Sequence, residues 1–308
     1  MAVARWPARH ISLPAVKQWI QAVTAAPVAA RPEILRAKIW GVTARFVVAG
    51  SRVVFKASYT PLFPQAPAIE GVLAQAAREH VAPLLSSDVG DDHVWLLYEN
   101  VGGDTVDHAT TVDDLVLLAQ TLGEVQVRVA ELDLRALPLV RPRDVPTLLL
   151  DDGLADQPVE LVRWLWEARE RLEDWAIELE QFPLSLDHPD VNVSNGLLRP
   201  SGDMVILDWE EATVGCPFFS LDRLLGHAEE VDAVADVRAA YIDALPWRTR
   251  REREHAFDLA RRLAPLKLAV EARAFARGLG WSDPHTAYTT QLIAAARKRA
   301  ICSEPTFG

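Results

Sequence analysis

Three polar residues within the stretch 188–208 have the types and spacing that phosphoryl transfer needs. Asp190 and Asn195 stand in the pattern D-x-x-x-x-N, a short apolar run follows, residues 199–203 are turn formers, and a second apolar run ends at Asp208. This pattern predicts a β-hairpin that brings Asn195 and Asp208 together at one end. Amide and carboxylate oxygens suit Mg²⁺. Asp190, on the loop just upstream, is then free to accept a proton from an attacking hydroxyl group.

The alternative for this stretch is an ordinary hairpin with polar ends, and a lysine upstream bears on the choice. Lys56 lies in the otherwise apolar run 53–57. It could extend along a sheet edge with its ammonium group in water. It could instead bind phosphate and pair with a glutamate of the next helix. That helix is predicted to run from Pro67 to about His80, and we choose Glu70 as the partner because it lies early in the helix.

A second nucleotide-binding feature follows the apolar strand 93–98. Glu99, Asn100 and Val101 leave this strand and lead into two glycines. In a two-lobed nucleotide enzyme this segment would be the hinge, and its backbone N–H and C=O groups could bind the edge of adenine. A glycine pair after a strand is also typical of a simple turn.

Apolar periodicity predicts a β-rich part followed by a helical part. Residues 139–157, which contain prolines and an Asp-Asp-Gly turn, are predicted to be a loop. The boundary is placed after residue 101, which gives a nucleotide-binding lobe, residues 1–101, and a helical lobe, residues 102–308. The strands are predicted at 35–40, 44–49, 52–57 and 93–98, and the later helices at about 111–134, 159–180, 231–245, 248–276 and 284–301.

Composition and charge restrict the class of partner. Half of the 308 residues are hydrophobic, which indicates a globular protein, and 43 acidic against 32 basic residues give a formal charge of −11. This charge argues against nucleic acid or an anionic membrane as the main partner. It fits a cationic or neutral small molecule, although an acidic surface also serves solubility alone.

Cysteine usage and hydropathy indicate the compartment. Cys216 and Cys302 are far apart and outside any metal-binding spacing, which predicts free thiols in a reducing environment. We find no apolar run of signal-peptide or membrane-span length. The sequence therefore predicts a cytoplasmic protein, and it does not indicate the oligomeric state.

Taken in order along the chain, these features resemble those of a known family. Lys56, Glu70, the strand exit at Glu99, His-x-Asp-x-x-x-x-Asn at 188–195 and Ile-Leu-Asp-Trp at 206–209 are similar to the aminoglycoside phosphotransferase and choline kinase-like family. The resemblance covers roughly residues 35–226 and is strongest at 186–222. It implies an α+β, bilobal protein-kinase-like fold, with a small β-rich N-terminal lobe and a larger, mainly helical C-terminal lobe. It also implies transfer of the γ-phosphoryl group of ATP to a hydroxyl group of a small molecule.

The resemblance implies roles for the residues around the hairpin. Asp190 is expected to be the catalytic base, and Asn195 and Asp208 to hold Mg²⁺. His188 and Asp222 are expected to brace the catalytic loop. From its position early in a helix, Asp222 could accept hydrogen bonds from the backbone of that loop, or it could simply stabilise the helix N-terminus.

The resemblance also implies a nucleotide site. Lys56, oriented by Glu70, is expected to bind the α- and β-phosphates of ATP. The backbone of Glu99, Asn100 and Val101 is expected to contact adenine.

The sequence leaves the phosphate acceptor open. Glu210 and Glu211 could face an amine-bearing substrate, and Trp209 could stack on a sugar or a quaternary ammonium group. For each of the three, a structural or solvated role is favoured over substrate binding, because most acidic side chains on a protein are simply exposed. An aminoglycoside, an amino sugar, a choline-like alcohol and other metabolites all remain candidates.

The sequence departs from the usual kinase patterns at three points. Pro189 stands where the family commonly has glycine, and proline stiffens the loop and removes an N–H group. There is no G-x-G-x-x-G motif, only Gly41 near the first strand turn, and there is no D-F-G or A-P-E motif. The missing motifs argue against a protein kinase. Pro189 supports an alternative, a catalytically inactive pseudokinase that only binds nucleotide.

Overall fold

An antiparallel sheet of five strands occupies the first third of the chain. A computed structural model describes residues 6, 11–58, 62–108, 110–281 and 285–301. The strands predicted at 35–40, 44–49 and 52–57 are confirmed and form an antiparallel meander, and two further strands complete the sheet in the order β1-β2-β3-β5-β4. The strands are β1 (Glu33–Lys38), β2 (Gly41–Val48), β3 (Ser51–Ser58), β4 (Leu84–Val89) and β5 (Val94–Glu99).

Helix α1 (Leu13–Thr24) covers one face of this sheet. It begins after Ser12, whose hydroxyl group accepts a hydrogen bond from a backbone N–H of the first turn, as an N-cap does. On its inner side Ile20 is fully buried. The Trp19 ring packs edge-on against Phe55 with 6.0 Å between ring centroids. The helix therefore completes the hydrophobic core of the small lobe.

Helix α2 (Ala66–Ala77) connects the small lobe to the rest of the molecule. At its start, Ala66 packs in a cluster with strand β5. Farther along, Ile69 and Leu73 are fully buried and belong to the large hydrophobic core of the helical lobe. Because one helix contributes to both cores, the sheet is held against the helical lobe.

Most of the chain after residue 105 is helical, with short strands between the helices. The strands are β6 (Asp104–Thr105), β7 (Ser185–Asp187), β8 (Gly196–Leu198), β9 (Met204–Ile206) and β10 (Thr213–Gly215). The helices are α3 (Val112–Val129), α4 (Asp144–Asp151), α5 (Val159–Leu179), α6 (Asp222–Glu230), α7 (Val234–Ala244), α8 (Arg250–Gly278) and α9 (Thr286–Ile301). Among the described residues, no helix combines the length and the apolar composition that crossing a membrane requires.

The mixed α+β architecture and the hairpin at 196–206 confirm the predictions, and two segments differ from them. Residues 84–89 were not predicted as a strand, because the sequence Leu-Leu-Ser-Ser-Asp-Val of this edge strand has no apolar–polar alternation and contains residues that are uncommon in strands. Residues 139–157 were predicted to be a loop, but they contain helix α4. Its Pro146 lies in the first turn, where the missing N–H group costs no helical hydrogen bond.

The cysteine prediction is confirmed for one residue. Cys216 is a free, buried thiol, and burial raises its pKa above the ordinary value. Cys302 lies outside the described residues.

The packing of α1 on the sheet yields a stability prediction. Ile20→Ala should lower the free energy of unfolding by about 2–4 kcal/mol, because it leaves a cavity in a fully buried position. Urea unfolding measures this change. Val23→Ala on the same helix is the control, since Val23 is 41% exposed and its truncation should have little effect. Equal, small losses for both variants would show that α1 does not contribute to the core.

Candidate active site

The hairpin β8–β9 brings the predicted polar residues to one end. Gly196 pairs with Ile206, and the Leu207 N–H donates to the Asn195 carbonyl oxygen at 2.8 Å. Asn195 and Asp208 therefore lie beside each other at the open end of the hairpin, as the sequence indicated. Asp208 has a left-handed backbone with φ of 66°, an uncommon conformation for a residue other than glycine that is often found at functional sites.

The loop 190–195 is closed by its own side chains. The Nδ2 group of Asn195 donates to the Asp190 carbonyl oxygen at 2.9 Å, and Asn192 Nδ2 donates to the same oxygen at 2.8 Å. Because Asn195 uses its N–H₂ group in this way, its amide oxygen is the atom that can face a metal. The side chain of Asn195 is 3% exposed, so its orientation is fixed by burial as well.

His188 connects this loop to the hairpin. Its Nε2 lies 2.8 Å from the Leu207 carbonyl oxygen, and its Nδ1 lies 3.2 Å from the Asp190 backbone nitrogen. Burial lowers the pKa of His188, which favours the neutral ring. A neutral ring with its proton on Nε2 satisfies both contacts, donating to Leu207 and accepting from Asp190. His188 thus contacts both the loop and the hairpin, and its bracing role stays a prediction.

Asp222 does not brace the loop, and the prediction for it is wrong. Its carboxylate is paired with Arg299 of α9 at 2.8 Å and lies 3.6 Å from Arg261 of α8. Ser220, two residues earlier, occupies the bracing position. Its hydroxyl oxygen accepts a hydrogen bond from the His188 N–H at 2.9 Å. This serine could not be chosen from the sequence, because its contact depends on how the chain folds back.

A buried ion pair lies behind the loop 190–195. The Ser220 hydroxyl group donates to Asp187 Oδ1 at 2.7 Å, and Asp187 also contacts the ammonium group of Lys267 on α8. Asp187 and Lys267 are 0% and 2% exposed. The carboxylates of Asp187 and Glu271 outweigh burial and raise the pKa of Lys267. The backbone before His188 is thus tied to α8 through one serine and one charged pair.

The catalytic-base candidate has an arginine beside it. Arg223 of α6 places its Nε 3.0 Å from Asp190 Oδ1, and both side chains are partly exposed. This pair holds the carboxylate at the mouth of the site. The arginine was missed in the sequence because its helical position gave no sign that it faces the loop.

Lys56 projects from β3 to the same end of the hairpin. Its ammonium group lies 2.7 Å from Asp208 Oδ1 and also contacts Glu210. Burial alone would lower the pKa of Lys56, but the two carboxylates outweigh it and raise this pKa above its ordinary value. Lys56 therefore contacts Asp208 and Glu210 rather than Glu70, and the predicted Lys56–Glu70 pair is not formed in this structure.

Glu70 is buried in α2 and has a different partner. Its Oε1 accepts a hydrogen bond from the Tyr98 hydroxyl group at 2.9 Å. Burial raises the pKa of Glu70 to about 8, an effect that the Tyr98 hydrogen bond opposes and the nearby Glu210 reinforces. Glu70 thus remains in the site, but as a largely protonated group near neutral pH.

The three candidates for acceptor binding have different environments. Trp209 is 1% exposed, donates through Nε1 to the Ile206 carbonyl oxygen at 3.1 Å and packs on the His188 ring. It is therefore not free to stack on an acceptor, and that prediction is wrong. Glu210 is the partner of Lys56. Glu211 lines a cavity under the β1–β2 turn, and burial, reinforced by Glu210, raises its pKa to about 8.

A cavity of about 590 Å³ connects the end of the hairpin to the strand exit after β5. Glu99, Asn100 and Val101 line it, and Arg45 Nε donates to Asn100 Oδ1 at 3.0 Å. Two glycines follow in left-handed conformations, and a side chain at Gly103 would meet the Leu198 carbonyl oxygen at 2.4 Å. The glycine pair therefore allows the strand exit to pass close to the hairpin. The apolar lining includes Leu35, Val54, Ala82, Leu197 and Ile206.

Comparisons with known proteins agree with this arrangement. The profile of the phosphotransferase enzyme family matches residues 40–255. A comparison with curated proteins gives no match.

Several solved structures are similar along most of the chain. One is a thermostable mutant of the aminoglycoside phosphotransferase APH(4)-Ia in a ternary complex with ADP and hygromycin B; it is 16% identical, has a TM-score of 0.65, and covers 95% of this chain and 100% of its own. A choline kinase from Cryptosporidium parvum is 11% identical, with a TM-score of 0.63 and 89% of each chain covered. The macrolide 2'-phosphotransferase MphH from Brachybacterium faecium is 18% identical, with a TM-score of 0.57, and covers 91% of this chain and 98% of its own. These similarities show that the fold is bilobal and protein-kinase-like.

The buried pair behind the loop yields a stability prediction. Lys267→Met should lower the free energy of unfolding by about 3–5 kcal/mol, because it leaves the charge of Asp187 buried without its cation. Asp187→Asn combined with Lys267→Met should recover part of this loss, since an asparagine oxygen still accepts from Ser220, while Glu271 still lacks its cation. Urea unfolding of the three proteins measures both effects. A double variant no more stable than the single one would contradict the explanation.

The raised pKa of Glu70 yields a pH prediction. Between its ordinary value of 4.5 and about 8, the folded protein keeps a proton that the unfolded chain releases, so this group makes the protein less stable as pH rises through that window. Glu70→Gln keeps an oxygen that accepts from Tyr98 and removes the effect. The difference in free energy of unfolding between Glu70→Gln and the wild type should therefore shift in favour of the variant by on the order of 3 kcal/mol from pH 5 to 8.5.

Denaturant unfolding across this pH range tests the prediction, with Glu131→Gln at an exposed position as the control. The control should keep a constant difference from the wild type. A constant difference for Glu70→Gln as well would mean that Glu70 is not protonated in the folded protein.

Proposed function

The chain belongs to the phosphotransferase enzyme family, and from this we propose that it transfers the γ-phosphoryl group of ATP to a hydroxyl group of a small molecule. One observation carries the proposal. Asp190, Asn195 and Asp208 converge at the end of the hairpin, next to Lys56 and to a cavity that reaches the strand exit. These are the groups that positioning and charge stabilisation of a phosphoryl group require.

In this proposal Asp190 is the catalytic base. Its carboxylate is held by Arg223 at the mouth of the cleft, and its backbone is fixed by Asn192, Asn195 and His188. A hydroxyl group placed against this carboxylate would give up its proton as its oxygen attacks the γ-phosphorus. The rigid loop supplies the orientation on which most of the rate enhancement of such reactions depends.

The donor atoms at the end of the hairpin fit Mg²⁺. The amide oxygen of Asn195 and the carboxylate of Asp208 would hold the ion, which supplies neutralisation of phosphate charge when bound. Lys56 already pairs with Asp208, so it stands where it could contact the phosphates that share the ion. Glu210 would then remain the carboxylate partner of Lys56.

The nucleotide would occupy the cavity between the sheet and the hairpin. The backbone of Glu99, Asn100 and Val101 would contact adenine, and apolar side chains from both lobes would enclose it. In this assignment the lobes are residues 1–101 and 102–308, with the adenine site at their junction. Solved structures of similar fold contain ADP or AMP-PNP, which supports ATP as the phosphate donor.

The acceptor is proposed only as a class. Similar structures include complexes with hygromycin B and with spectinomycin, and a choline kinase. An amino sugar or aminoglycoside and a choline-like alcohol are therefore the first compounds to test. Of the three acceptor-binding candidates, Trp209 is buried and Glu210 pairs with Lys56. Glu211, at the edge of the site, is the one that could still face an amine.

The experiment measures ADP release from Mg-ATP with a panel of hydroxylated metabolites and aminoglycosides. Asp190→Asn should reduce kcat on any active compound by about 10²–10⁴-fold, because it removes the group that accepts the hydroxyl proton. Binding of Mg-ADP, measured by calorimetry, should be unchanged. Asp236→Asn, at an exposed position of α7, should leave both measurements unchanged.

Two results would contradict the proposal in different ways. Full turnover by Asp190→Asn would exclude Asp190 as the base. Mg-ATP binding by the wild type without ADP release on any compound would favour the alternative, a nucleotide-binding pseudokinase.

A further inference from the structure

The turn between β1 and β2 is anchored to the helical lobe. Lys38 ends β1 and pairs with Gly41, so only two residues form the turn. One of them, Trp40, packs edge-on against Phe275 of α8, with 5.2 Å between centroids and an interplanar angle of 86°. Phe275 in turn stacks on Phe63. This contact crosses the cleft on the side away from the strand exit and fixes the position of the turn.

Lys38 is held over the cleft by the same tryptophan. Its Nζ lies 4.6 Å from the centroid of the Trp40 ring. Its side chain lines a cavity together with Arg36, Lys56, Asp208 and two glutamates. Lys56 and Asp208 also line the proposed nucleotide cavity. The cavity under the turn therefore adjoins the proposed nucleotide site at Lys56 and Asp208.

The cations of this cavity differ in their partners. Lys56 pairs with Asp208 and Glu210, and Arg36 lies 3.9 Å from Asp208. Lys38 forms no ion pair with any residue that the structure describes, although the carboxylates of Glu211, Asp208 and Asp190 act on it from a distance. Partial burial, together with Arg36, lowers the pKa of Lys38. A half-buried ammonium group without a counter-ion suits an anion that arrives from outside.

We propose that Lys38 binds the γ-phosphoryl group of the nucleotide and stabilises it during transfer. This inference rests on the proposed function. The chain has no glycine-rich loop whose backbone N–H groups could surround the phosphates, and only Gly41 lies at this turn. Lys38 supplies a positive charge from the β1–β2 turn, in the cavity that Lys56 and Asp208 also line, and Trp40 holds that charge in position.

A positive charge such as that of Lys38 is needed while the γ-phosphoryl group moves from ADP to the acceptor. The acceptor oxygen forms a bond to the γ-phosphorus, the bond from that phosphorus to the β–γ bridging oxygen breaks, and the electron pair leaves with ADP. The acceptor proton goes to Asp190. Negative charge is then spread over the three outer oxygens of the moving group. An ammonium group fixed against these oxygens needs no reorganisation during the step.

The decisive test compares two nucleotides that differ by the γ-phosphate. Lys38→Met should weaken binding of Mg-AMP-PNP about tenfold, the value of one charge-assisted contact, and leave the affinity for Mg-ADP unchanged. Calorimetry measures both affinities. Lys298→Met removes a lysine at an exposed position of α9 and is the matched control, with no change in either affinity. Lys38→Arg, which keeps the charge, should retain most of the preference for AMP-PNP.

A second variant tests the anchor. Trp40→Leu leaves Lys38 in the chain but removes its ring support, so it should show a smaller loss for AMP-PNP than Lys38→Met and again none for ADP. On an acceptor identified in the panel, Lys38→Met should reduce kcat about 10²-fold, as loss of a single stabilising donor does.

The outcomes separate the inference from the proposed function. Equal affinities of Lys38→Met and wild type for AMP-PNP, or equal losses for both nucleotides, would overturn the role of Lys38 alone. A wild-type protein that binds neither nucleotide would overturn the proposed function and this inference together.

Discussion

One cation joins the two halves of the site. Lys56 on the central strand β3 reaches Asp208 and Glu210 at the end of the hairpin, about half the chain length away in sequence. The three charges are largely buried, so each depends on the others, and separating them would leave charge in a medium of low dielectric constant. The sheet must therefore dock on the helical lobe in one register. The position of the β1–β2 turn over the cleft, and of the strand exit beside the hairpin, follows from that register because both belong to the same sheet.

The distribution of charge around Lys56 has a chemical consequence. Burial raises the pKa of Glu70, Glu210 and Glu211, Glu210 raises the pKa of the other two further, and Asp208 raises that of Glu210. Acidic groups are thus concentrated around Lys56 and Asp208. A divalent cation held by Asn195 and Asp208 would lower the repulsion among these groups, and the phosphates would then meet Lys56 and the metal together. The electrostatics and the donor atoms support the same proposal of a metal-assisted phosphoryl transfer.

The arrangement of residues could be predicted from the sequence where the relevant contacts are local. Asn195 and Asp208 were placed together because one hairpin determines their proximity, and the strands 35–57 were predicted because turns separate them clearly. Contacts between distant segments were predicted less well. The partner of Lys56, Ser220 in place of Asp222, and the burial of Trp209 all depend on how α2, α6 and β9 pack. An acid at 187 beside the apolar residue Leu186 was a signal that could have been used, since a buried carboxylate requires a cation.

The packing also bears on the proline in the catalytic loop. Proline removes one N–H group, so its effect depends on whether the loop needs that group. The two neighbouring N–H groups carry the bracing contacts. The His188 N–H donates to Ser220, and the Asp190 N–H donates to the ring of His188. Pro189 lies between these two residues, and the two bracing contacts do not need an N–H group at position 189. Its fixed φ angle favours a rigid loop. The residue that raised the alternative of an inactive protein is therefore compatible with a preorganised base.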